Sequence, residues 1–180
     1  TDPSYAGLDL NVKFFNTYHY TVYIPTNEAV RAAIDAGLPT WDIIKQETDQ
    51  VLKDSLTSLL VNFLRYHFQD NSLFVNGSTS SLVAYETAAY STTGKKTYYK
   101  LYTKLAPGKL TLYSDPNDPS TAVHVVTSDP TKYNIMAREY KFNNKDREKA
   151  TQIETSSFAS IHQIDKVLLY DKNQLKKMRS

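Results

Sequence analysis

Cysteine is absent from the 180 residues. That excludes a disulfide framework, a thiolate metal site and a cysteine nucleophile. It leaves the compartment open, because many exported bacterial proteins also lack disulfides. An excess of one charge is missing too: 21 Lys plus Arg stand against 19 Asp plus Glu, for a net charge of +2. Such a balance gives no global attraction to nucleic acid or to an anionic membrane. No apolar run approaches the roughly 20 residues of a membrane helix. No signal peptide is visible and the sequence opens at Thr1 rather than Met. It therefore reads as a mature or excised fragment from which any targeting segment has been removed.

Glycine is scarce as well. The five glycines, at positions 7, 37, 77, 94 and 108, form neither a P-loop nor a dinucleotide fingerprint. The four histidines, His19, His67, His124 and His162, include no pair with the spacing and glutamate of a zinc-binding HExxH helix. His19 lies in the aromatic run Tyr18-His19-Tyr20 and His124 between valines, and both read as packed or edge side chains. Serine is common, yet no Gly-x-Ser-x-Gly elbow occurs. Asp115 to Asp118 and Asp129-Pro130 lack the alternating oxygen spacing of a calcium loop and read as turns. The expectation is a protein without metal, organic cofactor or catalytic activity.

Tyrosine is what the chain has in excess, with 14 residues. Tyrosine suits half-buried strands, where the ring packs and the hydroxyl reaches water, and it is enriched at recognition surfaces. Most of these tyrosines fall in strand-like segments. The length is that of one domain, 1–180, with a core from about 12 to 170 and a basic tail over 171–180. The tail carries Lys172, Lys176, Lys177 and Arg179 and reads as a solvated end.

Val12 to Tyr23 reads as extended, and Pro25 turns it into a helix over Thr26 to about Ala36, with Val30, Ala33 and Ile34 on one face. Thr26 or Asn27 can cap that helix by side-chain hydrogen bonds. Gly37 and Pro39 stop it, and Thr40 can cap a short second helix from Trp41. Asp49 to Tyr66 is the strongest helix, with Leu52, Leu56, Leu59, Leu60, Phe63 and Leu64 as its apolar stripe and Arg65 off it. Short extended runs follow. Leu73-Phe-Val75 leads to a hairpin-type turn at Asn76-Gly77. Ser81 to Tyr90, Lys96 to Lys104, Lys109 to Tyr113, Ala122 to Ser128 and a closing strand at Ile164 to Leu169 come next. Thr97, Tyr99, Leu101 and Thr103 alternate with Tyr98, Lys100, Tyr102 and Lys104. Lys141 to Ala150 reads as a charged loop. Helices first and strands later make an α+β domain.

Three stretches carry a resemblance. They are Tyr20-Thr-Val-Tyr-Ile-Pro-Thr-Asn-Glu-Ala-Val30, Leu64-Arg-Tyr-His67 and Ile161-His-Gln-Ile-Asp-Lys-Val-Leu-Leu-Tyr170. Together they resemble the signature blocks of a fasciclin domain, whose first block reads roughly TVFAPTNEAF and whose last reads roughly VIHVIDKVLLP. Ile24 stands where the family usually has Ala, and Tyr170 where it has Pro. Only 19 residues precede the first block, where the family usually has helices, so the sequence begins late or belongs to a divergent branch. Gly37-Leu-Pro-Thr-Trp41 and Tyr66-His-Phe-Gln-Asp-Asn71 are most similar to fasciclin-domain proteins of gut-type Bacteroidetes, which sit on the cell envelope.

The resemblance implies a wedge-shaped β-sandwich with helices packed along one side. It also implies a non-enzymatic adhesion or interaction module that is exported, shown at the cell surface and lipid-anchored in the full-length protein. Its partner would be a protein or glycan there, or further domains of the same protein. In animal matrix relatives a Tyr-His motif is implicated in integrin binding, and Tyr66 and His67 occupy that place. Their positions at the end of the long helix also suit packing and backbone hydrogen bonds, and Asp165 suits a structural bond to backbone or a cation. The exposed loops Asn76 to Ser81, Ser91 to Lys96 and Asp115 to Thr121 are then the places for a ligand. A second reading is a glycan-binding accessory domain of a surface nutrient-uptake system, with tyrosines as stacking platforms. A third, a hydrolase, has no motif to support it.

Overall fold

The β-branched and aromatic run after Tyr18 forms strand β1, His19–Pro25, in a computed structural model that describes residues 19–91, 95, 97–138, 141–143, 146–152 and 158–179. Three helices follow: α1, Asn27–Ala36; α2, Trp41–Gln46; and α3, Gln50–Arg65. Each begins on a side-chain cap. Thr26 accepts the N–H of Ala29, Thr40 that of Ile43 and Asp49 that of Leu52. Asn27 is the first helical residue, with an exposed side chain, so Thr26 alone does the capping. Gly37 closes α1 at φ 126°, a backbone angle that side chains other than hydrogen disfavour.

The strands come after: β2, Phe68–Asp70; β3, Val83–Ser91; β4, Thr97–Ala106; β5, Lys109–Tyr113; β6, Val123–His124; β7, Ile135–Arg138; β8, Lys141–Asn143; β9, Asp146–Gln152; and β10, Phe158–Ile164. A last short helix, α4, spans Gln174–Arg179. The main sheet has the order β6-β5-β4-β3-β2-β1-β10-β7. β1 and β10 run parallel next to the β7 edge, and the other pairs are antiparallel. This is an α+β fold with a curled sheet. The curl brings edge strand β6 back toward β10. Val125 bridges Ile164, the Val126 N–H donates to Gln163 O at 2.8 Å, and the Asp165 N–H donates to His124 O at 3.0 Å. Inside the curl lies the main apolar core, with Tyr23, Leu101, Leu110, Leu112, Val125, Ile164 and Leu168. The odd-numbered face of β4 points into it, as the period-two pattern requires.

Several expectations change. Leu73 to Val75 is not a strand, and Asn76-Gly77 is not a hairpin turn. The backbone of this stretch is held by side chains instead: Leu73 N–H by Thr21, Leu73 O by His162 and Val75 N–H by Asn134. The closing strand ends at Ile164, where the sequence suggested it would begin, and Ala122 to Ser128 contributes only two strand residues. In the stretch expected as a charged loop, Lys141–Asn143 pairs with Asp146–Gln152 as a two-stranded ribbon, β8 with β9. Residues 171–179 do not form a solvated tail. Leu175 and Met178 of α4 are buried in a second apolar cluster with Ala33, Leu38 and Phe63. The lead-in over 1–10 and the extended reading before His19 lie outside the described residues.

Candidate functional site

Tyr66 and His67 sit where α3 ends, and both are buried. The neutral His67 ring joins two distant parts of the chain. Its Nε2 accepts the Leu168 N–H at 3.0 Å, which leaves Nδ1 as the protonated nitrogen, donating to Phe63 O at 2.9 Å. Burial lowers its pKa to about 4, against a smaller opposing effect of the Phe63 carbonyl. His162 does similar work: Nδ1 accepts the Asn134 N–H and Nε2 donates to Leu73 O. Burial lowers its pKa too, with the Leu73 carbonyl acting the other way. Tyr66 donates its hydroxyl to Lys100 O at 2.8 Å, and burial raises its pKa. Asp165 accepts the His124 N–H at 2.8 Å and so ties the last block to β6. Each of these groups is engaged in holding segments together.

Above Tyr66 the surface opens. The Tyr66 ring meets Tyr99 and Tyr170 edge-on, and those two rings stack on each other at 4.2 Å with planes 6° apart. Tyr99 comes from β4 and Tyr170 from the end of the last block, so the stack depends on the fold. A cavity of about 490 Å³ runs along it, with Asp115, Asp118 and Thr121 on one side and Asp171, Lys172, Gln174 and Lys177 on the other. A second hollow of about 290 Å³ lies over Tyr98, Lys100 and Tyr102 and shares Tyr99, Ser114 and Tyr170 with the first. A third, of about 190 Å³, shares Ser114, Asp118, Thr121 and Lys172. The first and third lie between the 114–121 turn and the 166–177 segment, and the second shares Tyr99, Ser114 and Tyr170 with this cleft.

The walls are built locally. Asp115 accepts the Asn117 N–H, and one oxygen of Asp118 accepts both the Ser120 N–H and its hydroxyl. The hydroxyl bond, then the backbone bond, holds the Asp118 carboxyl below its usual range. Asp171 takes the Asn173 N–H and pairs with Lys177, whose hydrogen bond is the main reason the Asp171 pKa is lowered. The Tyr170 pKa is raised by burial. Gln174 is 2% exposed; its Oε1 accepts the Tyr170 N–H at 3.2 Å, while its Nε2 has no hydrogen-bond partner. A buried amide donor without a partner is uncommon, since such groups are nearly always satisfied.

Of the three loops named from sequence, Asp115 to Thr121 lines this cleft. Asn76 to Ser81 is held to β4 through Thr79 and Leu105, away from it, and most of Ser91 to Lys96 lies outside the described residues. The site role of Tyr99, Tyr170 and Gln174 is not legible in the sequence, because Tyr99 on β4 meets the other two only in the fold. Among the described residues no group of three or more His, Asp or Glu side chains is placed to hold a metal ion, and no helix is long and apolar enough to cross a membrane. No protein-family model matches the chain, and no curated protein matches it.

Proposed function

We propose that this chain is a non-enzymatic interaction module of the fasciclin type, exported and displayed at the cell envelope, and that it engages its partner through the tyrosine-walled cleft. The family part of this reading rests on the three sequence blocks. It is supported by the sheet curling closed at one end, by β1 and β10 pairing the first block with the last, and by a Tyr-His pair ending the long helix. A fold-level likeness is a guide to function, not a demonstration of it, so the site carries the argument.

One observation carries the choice of surface: a cleft of about 490 Å³ that runs along the stacked Tyr99 and Tyr170 rings. That volume falls within the roughly 300–1,000 Å³ of small-molecule pockets. Tyr66 lies beneath the aromatic wall and lines the second hollow, so it shapes the cleft from below, whereas His67 is buried against Phe63 and Leu168.

The test uses the protein coupled to beads and scored for adhesion to host-cell and glycan surfaces. Charge reversal at the exposed rim, Lys172→Glu, should lower adhesion several-fold with the melting temperature unchanged. His67→Ala should lower the melting temperature. Loss of adhesion in His67→Ala at an unchanged melting temperature would put the histidine in the interface and overturn this reading.

A further inference from the structure

We propose that the 166–177 wall of the cleft is an acid-released flap, latched to the body of the fold through His67. The flap adds a means of regulation to the binding surface proposed above, and only that use of it rests on the earlier reading.

The chain leaves the sheet at Ile164 and enters no further strand before α4. The stretch beyond carries Tyr170, Asp171, Lys172 and Lys177 to the cleft. Its backbone is lightly held. From Lys166 to Tyr170, among the described residues, one backbone group bonds to another element: the Leu168 N–H, to His67 Nε2 at 3.0 Å. The Tyr170 N–H turns back to Gln174 within the flap. Leu168, Leu175 and Met178 add apolar packing, and Tyr170 adds its stack on Tyr99.

The latch works in one protonation state. Nδ1 of His67 donates to Phe63 O, so Nε2 keeps the lone pair that accepts the Leu168 N–H. A second proton goes to Nε2, and two N–H groups then face each other with no acceptor between them. The new charge is also buried. The ring meets Phe63 edge-on at 4.9 Å, and Phe63 belongs to the apolar cluster of Ala33, Leu38, Leu175 and Met178. Charged groups on the surrounding elements give it no counterion. Glu28, Arg31 and Asp35 on α1, Asp165, Lys166 and Lys172 on the flap, and Lys176 and Lys177 on α4 are exposed. Lys53 and Asp54 lie toward the other end of α3, and Arg65 faces Tyr90. Asp70 on β2 holds the Asn71 N–H, and Tyr23 on β1 gives its hydroxyl to Gln69. Lifting the flap takes Leu168, Leu175 and Met178 out of the apolar clusters and opens the ring to water, so acid favours the lifted form. Asp118 and Asp171 titrate below the usual carboxylate range and stay ionised in mild acid. His162 makes the same pair of bonds, but to Asn134 and Leu73, both outside the flap.

Native-state hydrogen exchange on the full chain at pH 7.5 and 5.0, corrected for intrinsic rates, tests the latch. A ring that titrates near 6.5 when freed and at about 4 when latched should raise the opening equilibrium of the Leu168 and α4 amides about thirtyfold over that interval. The β4 amides should be better protected at both pH values, because peripheral segments open without global unfolding. His67→Gln supplies an amide oxygen to Leu168 and does not titrate, so it should flatten the change. Flap exchange independent of pH would overturn the proposal. So would equal protection of flap and β4 at both pH values, a comparison that needs no variant. The two readings fail separately. If adhesion ignores Lys172→Glu while flap exchange follows pH, the cleft falls and the latch stands. If Lys172→Glu lowers adhesion while flap exchange ignores pH, the latch falls alone.

Discussion

A histidine free in the unfolded chain titrates near 6.5, whereas His67 in the fold titrates at about 4. Between those values the unfolded state binds a proton that the native state refuses. The stability that follows is complete above about pH 6.5, is lost as pH falls toward 4 and does not change further below that. Lowering the pH from 7.5 to 5.0 should therefore cost about 2 kcal/mol from His67, with His162 acting in the same direction. Urea unfolding at the two pH values checks this, and His67→Gln should shrink the difference; equal stability at both would contradict the buried neutral ring. At this scale the sequence was informative where the physics is local. Thr26, Thr40 and Asp49 cap helices because a short oxygen-bearing side chain before an apolar run has little else to do. The partners of His67 and His162 were not legible, since Leu168 lies 101 residues from His67 and Leu73 lies 89 from His162.

Helix α3 shows what periodicity can and cannot say about an element. The stripe from Leu52 to Leu64 located the helix, but burial follows position along it as much as face. Its first turns stand clear of the body: Val51 is 81% and Leu52 40% exposed. In its last turn Phe63, Arg65 and Tyr66 are buried, with the Arg65 guanidinium 5.2 Å from the centre of the Tyr90 ring, while Leu64, expected on the apolar stripe, is 52% exposed. A repeat of 3.6 residues marks a direction around the axis and says nothing of how far the neighbouring elements reach along it. Two substitutions separate the halves. Val51→Ser should change stability by no more than about 0.5 kcal/mol, and Phe63→Ala should cost about 3–5 kcal/mol. Chemical denaturation of both variants is the check, and similar losses in the two would show the helix to be packed evenly.

For the molecule as a whole, the first and last blocks belong together because they are neighbours in the sheet: His19 to Pro25 pairs in register with Phe158 to Ile164. The same long-range closure explains why the basic tail was misread. Four cations in ten residues dominate its composition, and the two apolar side chains that matter, Leu175 and Met178, acquire their meaning only beside Ala33, Leu38 and Phe63. Leu175→Ala should cost about 2–5 kcal/mol and lower the melting temperature, whereas removing a solvated tail residue would leave it unmoved. The cleft was legible only as one turn, Asp115 to Thr121, because its other wall is made by the folded tail. Its role as the binding surface is tested most directly by photo-crosslinking on intact cells, with benzoylphenylalanine placed at Asn117 in the cleft turn or at Val51 on the exposed helix face. The account predicts capture of a surface component from Asn117 and none from Val51. Capture from Val51 with none from Asn117 would contradict it.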